Sequence, residues 1–371
     1  MWRLSDTLLR EFEEVLKNNY ETIASVSKDI EFKWEELPQP KNCSACGVDG
    51  SRGMEKFSGV VFYVISSVAV GREILEVHEI TTLKPHKYIE ERIRLHMQIS
   101  EFRLGSICRD DVILMDGTLS GSIIRPPAYI EDGNKISSFK KDYHFDAMTE
   151  EFLKKLDGWI EEIHRDVLSG RARKNYLLSR TKYFDELESI YRKARNGLND
   201  DILIFFEYLE YLHSLNKLLE RDVVFVAKSF YTSEITKNSS ISDSALLDYL
   251  AIKEFGYERS GYLLKKKRIE KSIPLTEYFK NLADTELNVA FIRFADFGNI
   301  YLIESKGEID EDKIGKLRSL EFDGYLIPLI HAHRYSEIKR RELKNLMHSL
   351  LNAIKDRYTF MLKRSRGVLD R

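Results

Sequence analysis

The chain has 371 residues, with 43% hydrophobic and 11% aromatic content, which is ample for a buried core in one elaborated domain or two closely packed ones. Charged residues make up 32%, yet the formal net charge is only −2, which excludes a uniformly basic nucleic-acid coat and leaves room for a local basic channel. Three cysteines are too few for a disulfide framework, and no stretch approaches the ~20 apolar residues of a membrane span, so a cytoplasmic protein is expected.

Residues 4–30 place Leu8, Leu9, Phe12, Val15 and Leu16 at helical spacing and run into a linker flanked by Pro38 and Pro40. The period then changes. A short apolar run over 45–49 stops at Asp49-Gly50-Ser51. Residues 59–70 (GVVFYVISSVAV) are rich in β-branched and aromatic side chains, and residues 73–80 alternate after a hairpin at Gly71-Arg72. A helical pattern from 86 to 106 begins just after Pro85. The buried-type strand DVILM over 111–115 ends at Asp116-Gly117. Residues 148–220 are helix-rich and read as an insertion into a mixed sheet. A strand over 222–227, a hairpin across Asp296-Phe297-Gly298, a helix over 310–320 and a helical C-terminus from Tyr335 complete the chain. The expected division is a helix and linker over 1–40, then a single domain over 41–371.

Two segments, GVDGS at 47–51 and LMDGT at 114–118, share one device, in which an apolar strand delivers an aspartate and a glycine turns the chain. On adjacent strands their carboxylates would sit about 5 Å apart. Two ionised carboxylates that close repel unless a cation bridges them, and hard Mg²⁺ or Mn²⁺ suits oxygen ligands. Cys43 and Cys46 have CxxC spacing but no further Cys or His completes a tetrahedral site, so they read as small hydrophobic residues entering a strand.

The order strand, hairpin, helix, strand, with an acid on the first and fourth strands, is similar to the ribonuclease H fold, in which a helix supplies a third acid. Glu101 lies among Ile99, Phe102 and Leu104 in the matching helix and is poorly explained as a solvated charge, whereas Glu90 and Glu91 read as exposed partners of Arg92 and Arg94. Three acids around an ion pair at about 4 Å separation can activate water and stabilise the leaving oxygen of a phosphodiester. Lys228 follows the strand DVVFVA, where its ammonium can meet a phosphate. In the stretch 323–333, His331 and His333 stand at strand-like spacing on one face, and His333 opens the C-terminal helix.

GVDGS, the helix spacing from Arg94 to Glu101, LMDGTL (114–119), VAKS (226–229), ISDSALL (241–247) and GYLIPLIHAH (324–333) together resemble the NurA nucleases of archaea. The resemblance implies an α/β, ribonuclease H-like mixed sheet with a helical insertion and flanking N- and C-terminal helices. It implies Asp49, Glu101 and Asp116 as metal-binding acids with His333 beside them, Lys228 and Tyr325 at the substrate, and Mn²⁺, or Mg²⁺, as a pair of ions. It further implies a homodimer that degrades single- and double-stranded DNA with the hexameric ATPase HerA in processing double-strand break ends.

Lys265, Lys266, Lys267 and Arg268 form one basic run, and residues 334–371 carry eleven Lys and Arg against four carboxylates. Such polarity steers DNA by its phosphates, and Phe230, Tyr231 and Tyr325 are aromatic candidates for stacking on single-stranded bases. Two rivals remain on the residues alone. One is an ATP-dependent phosphotransferase of the actin/sugar-kinase type, which also uses Asp-Gly-Thr strand ends. The other is a non-catalytic partner of a DNA motor.

Overall fold

A computed structural model describes residues 5–85, 88–124, 145–171, 176–181, 200–237, 240–269, 278–282, 285–353 and 361–362. The chain divides into two compact units, each assembled from non-contiguous segments. The first comprises Met1–Asn42, Val226–Lys267 and Asn288–Leu326, and the second Cys43–Phe225, Arg268–Leu287 and Ile327–Arg371. The N-terminal helix and linker therefore group with later parts of the chain instead of standing alone.

The second unit holds β1 (Ala45–Lys56), β2 (Val61–Val70), β3 (Ile74–Leu83), α2 (Ile89–Ile107), β4 (Val112–Asp116) and α3 (Leu119–Ile124), after the N-terminal helix α1 (Asp6–Val26) of the first. Between β4 and the strand β5 (Val223–Ala227) lie α4 (Phe145–Leu168) and α5 (Asp200–Leu218), so the described part of the expected helical insertion is mainly helix. The strand order here is β3-β2-β1-β4-β5. β1 and β2 run antiparallel, as do β2 and β3, while β1 and β4 run parallel. β4 is apolar from Val112 to Met115 and wholly buried there, as a strand covered on both faces must be.

The first unit carries α1, α6 (Asp243–Phe255), β6 (Gly261–Arg268), β7 (Glu286–Arg293), β8 (Tyr301–Ser305), α7 (Glu311–Ser319) and the two-residue strands β9 (Glu321–Phe322) and β10 (Tyr325–Leu326). β6, β7 and β8 are neighbours in the order β8-β7-β6. The expected hairpin across Asp296-Phe297-Gly298 is present as antiparallel β7 and β8. Ser242 and Asp310 cap α6 and α7 by accepting hydrogen bonds from Ala245 N and Lys313 N.

Three sequence expectations are corrected. The strand read as ending at Asp49 continues to Lys56, because β2 supplies a full antiparallel partner out to the Lys56–Val61 pair. His331 and His333 lie on a helix, α8 (Ile327–Ser336), followed by α9 (Arg340–Ala353), and His333 sits in its last turn. At ~100° per residue two positions separated by two cannot share a face. Arg92 is buried and not an exposed surface partner. Its guanidinium grips Glu207 of α5 through two bonds of 2.6 and 2.7 Å, while Glu90 pairs with Lys56.

That ion pair belongs to a buried network fixing α2. His96 lies 3.0 Å from Glu207 and 2.8 Å from the Tyr63 hydroxyl. Arg103 donates to Glu210 at 2.6 Å, and Glu210 also accepts from Ser179 N at 2.7 Å. Burial opposes the charge on Glu207, but His96 and Arg92 outweigh it and hold this carboxylate well below its ordinary range. Arg92, His96 and Arg103 recur along one stripe of α2. Glu101, about 180° from Arg92 by helical spacing, faces the other way.

Candidate metal centre

Asp49 and Asp116 occupy adjacent parallel strands. Val48 pairs with Met115, and the two aspartates are the next residues along. Asp116 ends its strand as the sequence indicates, whereas Asp49 lies within β1.

The third acid arrives from α2. Glu101 is only 8% exposed, and its Oε1 fills the space beside Gly50: a Cβ built there would stand 2.3 Å from that oxygen. Gly50 therefore makes room for a carboxylate and does not turn the chain. Burial, then Asp49, then Asp116 push the Glu101 carboxyl up to about 8, and only the Arg52 guanidinium opposes them. Asp49 is raised as well, first by burial, against a hydrogen bond from His333, with Asp116 pushing it further up. Three acids from β1, α2 and β4 thus feel one another strongly in a poorly solvated place. Among the described residues no three His, Cys, Asp or Glu side chains already close on one point as a ligand set. What they share is mutual electrostatic strain, since Asp49 and Asp116 both push the Glu101 carboxyl up and Asp116 also pushes Asp49 up.

His333 reaches the same place from α8. Its Nδ1 lies 2.7 Å from Asp49 Oδ2, and its other face is exposed. Gly47 permits this, since a Cβ there would meet the Pro328 carbonyl at 2.3 Å, so the start of α8 rests directly on β1. Ser51 accepts from Ile338 N at 3.2 Å and anchors the chain beyond α8 to the same strand. His331 is exposed and is not part of this cluster.

Lys228 and Tyr325 come together in the first unit, with Lys228 Nζ 4.9 Å from the centroid of the Tyr325 ring. Tyr325 also packs on Tyr301 at 5.0 Å between centroids. Phe230 is buried against Phe291 and is unavailable for stacking, whereas Tyr231 is 93% exposed. In the basic run Lys265 and Lys266 are exposed, while Lys267 is paired with Glu234. Much of the basic C-terminal tail, including Lys355, Arg357 and residues 363–371, lies outside the described residues. Gly50 and Arg52 are the site residues that sequence reasoning passed over. A glycine read as a turn and an arginine in a polar run gave no sign of the acid they face.

The NurA domain family model matches residues 43–338. The chain is 28% identical to the DNA double-strand break repair nuclease NurA of Pyrococcus furiosus, over 96% of this chain and 94% of that protein. It is 32% identical to an uncharacterized protein of Methanocaldococcus jannaschii, over 95% and 94%. A NurA crystal structure superposes with a TM-score of 0.77 at 26% identity, covering 95% of this chain and 99% of that one. A second, of NurA bound to dAMP and manganese, gives 0.75 at 27% identity, covering 95% and 96%. The match spans both aspartates, Glu101, Lys228, Tyr325 and His333, and on that evidence the chain belongs to the NurA family.

Proposed function

We infer that this protein is a manganese-dependent nuclease that hydrolyses DNA phosphodiesters in the repair of double-strand breaks. The observation that carries the reading is Glu101, a buried carboxylate packed onto Gly50 beside two further acids, with no hydrogen bond among the influences that set its charge. A buried acid of this kind suits a cation, because two divalent charges would relieve the mutual repulsion of all three. The order β3-β2-β1-β4-β5, with β2 antiparallel to both its neighbours and β1 parallel to β4, supports a ribonuclease H-like sheet presenting these acids.

On this reading Asp49, Glu101 and Asp116, with His333 as a fourth group, hold Mn²⁺, or Mg²⁺, as a pair of ions. When bound, the ions supply the charge that activates water and stabilises the departing oxygen. The protein's own part is positional. β1 and β4 fix the two aspartates by register, the Arg92–Glu207 network fixes the rotation of α2 and hence the aim of Glu101, and His333 holds Asp49 Oδ2. Lys228, held over the Tyr325 ring, is assigned to a DNA phosphate, and Tyr325 to the nucleotide. The relatives named for double-strand break repair support DNA as substrate. Action on single and double strands, pairing into a homodimer and partnership with HerA are part of the same proposal.

The test is cleavage of linear DNA in Mn²⁺ by the intact protein and by Asp49→Ala and Asp116→Ala. Cleavage by the parent and none by either variant supports the reading. Full cleavage by both variants overturns it, as does ATP turnover without cleavage, which belongs to a phosphotransferase.

A further inference from the structure

We propose that Cys46 and Cys108 are a covalent modification site, forming a disulfide that ties β1 to the C-terminal end of α2. Both thiols are buried, 1% and 3% exposed, and their sulfurs lie 2.7 Å apart, closer than unbonded sulfur atoms rest. Cys46 lies on β1 three residues before Asp49, and Cys108 is the residue that caps α2. The two are 62 positions apart in sequence, so the bond closes a loop containing β1, the β2–β3 hairpin and all of α2. Asp49 and Glu101 both ride on that loop, although the cross-link stands independently of what they bind.

No other chemistry accounts for the pair as well. Two sulfurs without further ligands make no tetrahedral metal site, and among the described residues no third His, Cys, Asp or Glu joins them. The interaction with Cys108 and burial both push the Cys46 thiol up, so Cys46 resists ionisation in the fold. The bond therefore forms while this part of the chain still opens, and once formed it is shielded from soluble thiols. Cys43, more accessible, stays outside the bridge.

The step is a thiol–disulfide exchange. The Cys46 and Cys108 S–H bonds break, one S–S bond forms, and two protons and two electrons pass to a low-molecular-weight disulfide such as oxidised glutathione. That oxidant's own S–S bond is cleaved to two thiols.

The test uses the full chain, purified without reductant and equilibrated with oxidised glutathione, then denatured in N-ethylmaleimide and weighed intact before and after reduction. One adduct before reduction and three after, with peptide mapping that joins Cys46 to Cys108, is the expected result. Three adducts before reduction, or a bridge that uses Cys43, overturns the proposal. Cys43→Ser should keep the bridge, while Cys46→Ser and Cys108→Ser should each leave two alkylatable thiols. Reduction should lower the Tm of the parent by about 5 °C or more, given the length of the closed loop, and should leave that of Cys46→Ser unmoved.

Discussion

Glu101 Oε1 sits where the side chain of residue 50 would begin, 2.3 Å from a Cβ built on Gly50. The atom displaced by any larger residue is the far end of a flexible side chain, with Met97 Cγ next at 2.9 Å. Gly50→Ala should therefore fold with a stability loss of only about 1 kcal/mol. It should lose Mn²⁺-dependent cleavage by roughly 10²-fold, since Glu101 is pushed out of line. Thermal denaturation and single-turnover cleavage measured on one preparation would separate the two effects, and undiminished cleavage would show that the position of Glu101 is immaterial.

The contact between His333 Nδ1 and Asp49 Oδ2 at 2.7 Å makes a second prediction. His333→Ala removes the group that orients Asp49, so Mn²⁺ affinity should fall by roughly 10- to 100-fold. Calorimetric titration of Mn²⁺ into both proteins checks this, and equal affinities would confine His333 to the substrate.

Glu79 on β3 is 3% exposed, and burial pushes its carboxyl up to about 7, with Arg180 only partly opposing. Its folded value lies above its ordinary value of 4.5, so the protonated form favours the fold. That contribution is fully present below pH 4.5 and is lost as pH rises through 7. Glu79→Gln should leave stability at pH 4 nearly unchanged and raise it at pH 8 by up to about 3 kcal/mol. Urea unfolding at the two pH values reads the difference, and an equal effect at both would refute the assignment.

Arg92 and Glu207 are both buried, and removing one partner leaves an uncompensated charge. Arg92→Met should cost about 3–5 kcal/mol, measured by denaturant unfolding at pH 7. A loss below about 1 kcal/mol, the range of exposed pairs, would mean that His96 and Arg180 suffice to hold Glu207.

Strands were legible where one face or both faces are apolar, as in β2 and β4, and Asp116 could be placed from its strand alone, whereas the strand order in the sheet came only from the fold. Asp49 could be chosen but not correctly placed. The residues that follow it, SRGMEK, lack strand character, and only the partner strand β2 makes them one. In the stretch 323–333, His331 and His333 read as strand-spaced and the helix as beginning only at His333, because the apolar residues before them run together. Pro328, near the helix start, was the local signal of α8 that outweighs that run. β6 was hidden by its Lys-Lys-Lys-Arg end, which reads as a solvated basic run. The partners of Arg92 and Arg103 lie 115 and 107 residues away. No local pattern encodes contacts at that separation, so the network that orients Glu101 becomes visible only in the fold.

The most direct test of the central claim is anomalous diffraction from crystals of the full chain soaked in Mn²⁺, collected alongside Glu101→Gln. The account predicts manganese peaks bounded by Asp49, Glu101 and Asp116 in the parent, weakened or lost in the variant. Manganese bound elsewhere, with these three carboxylates empty at saturating metal, would contradict it.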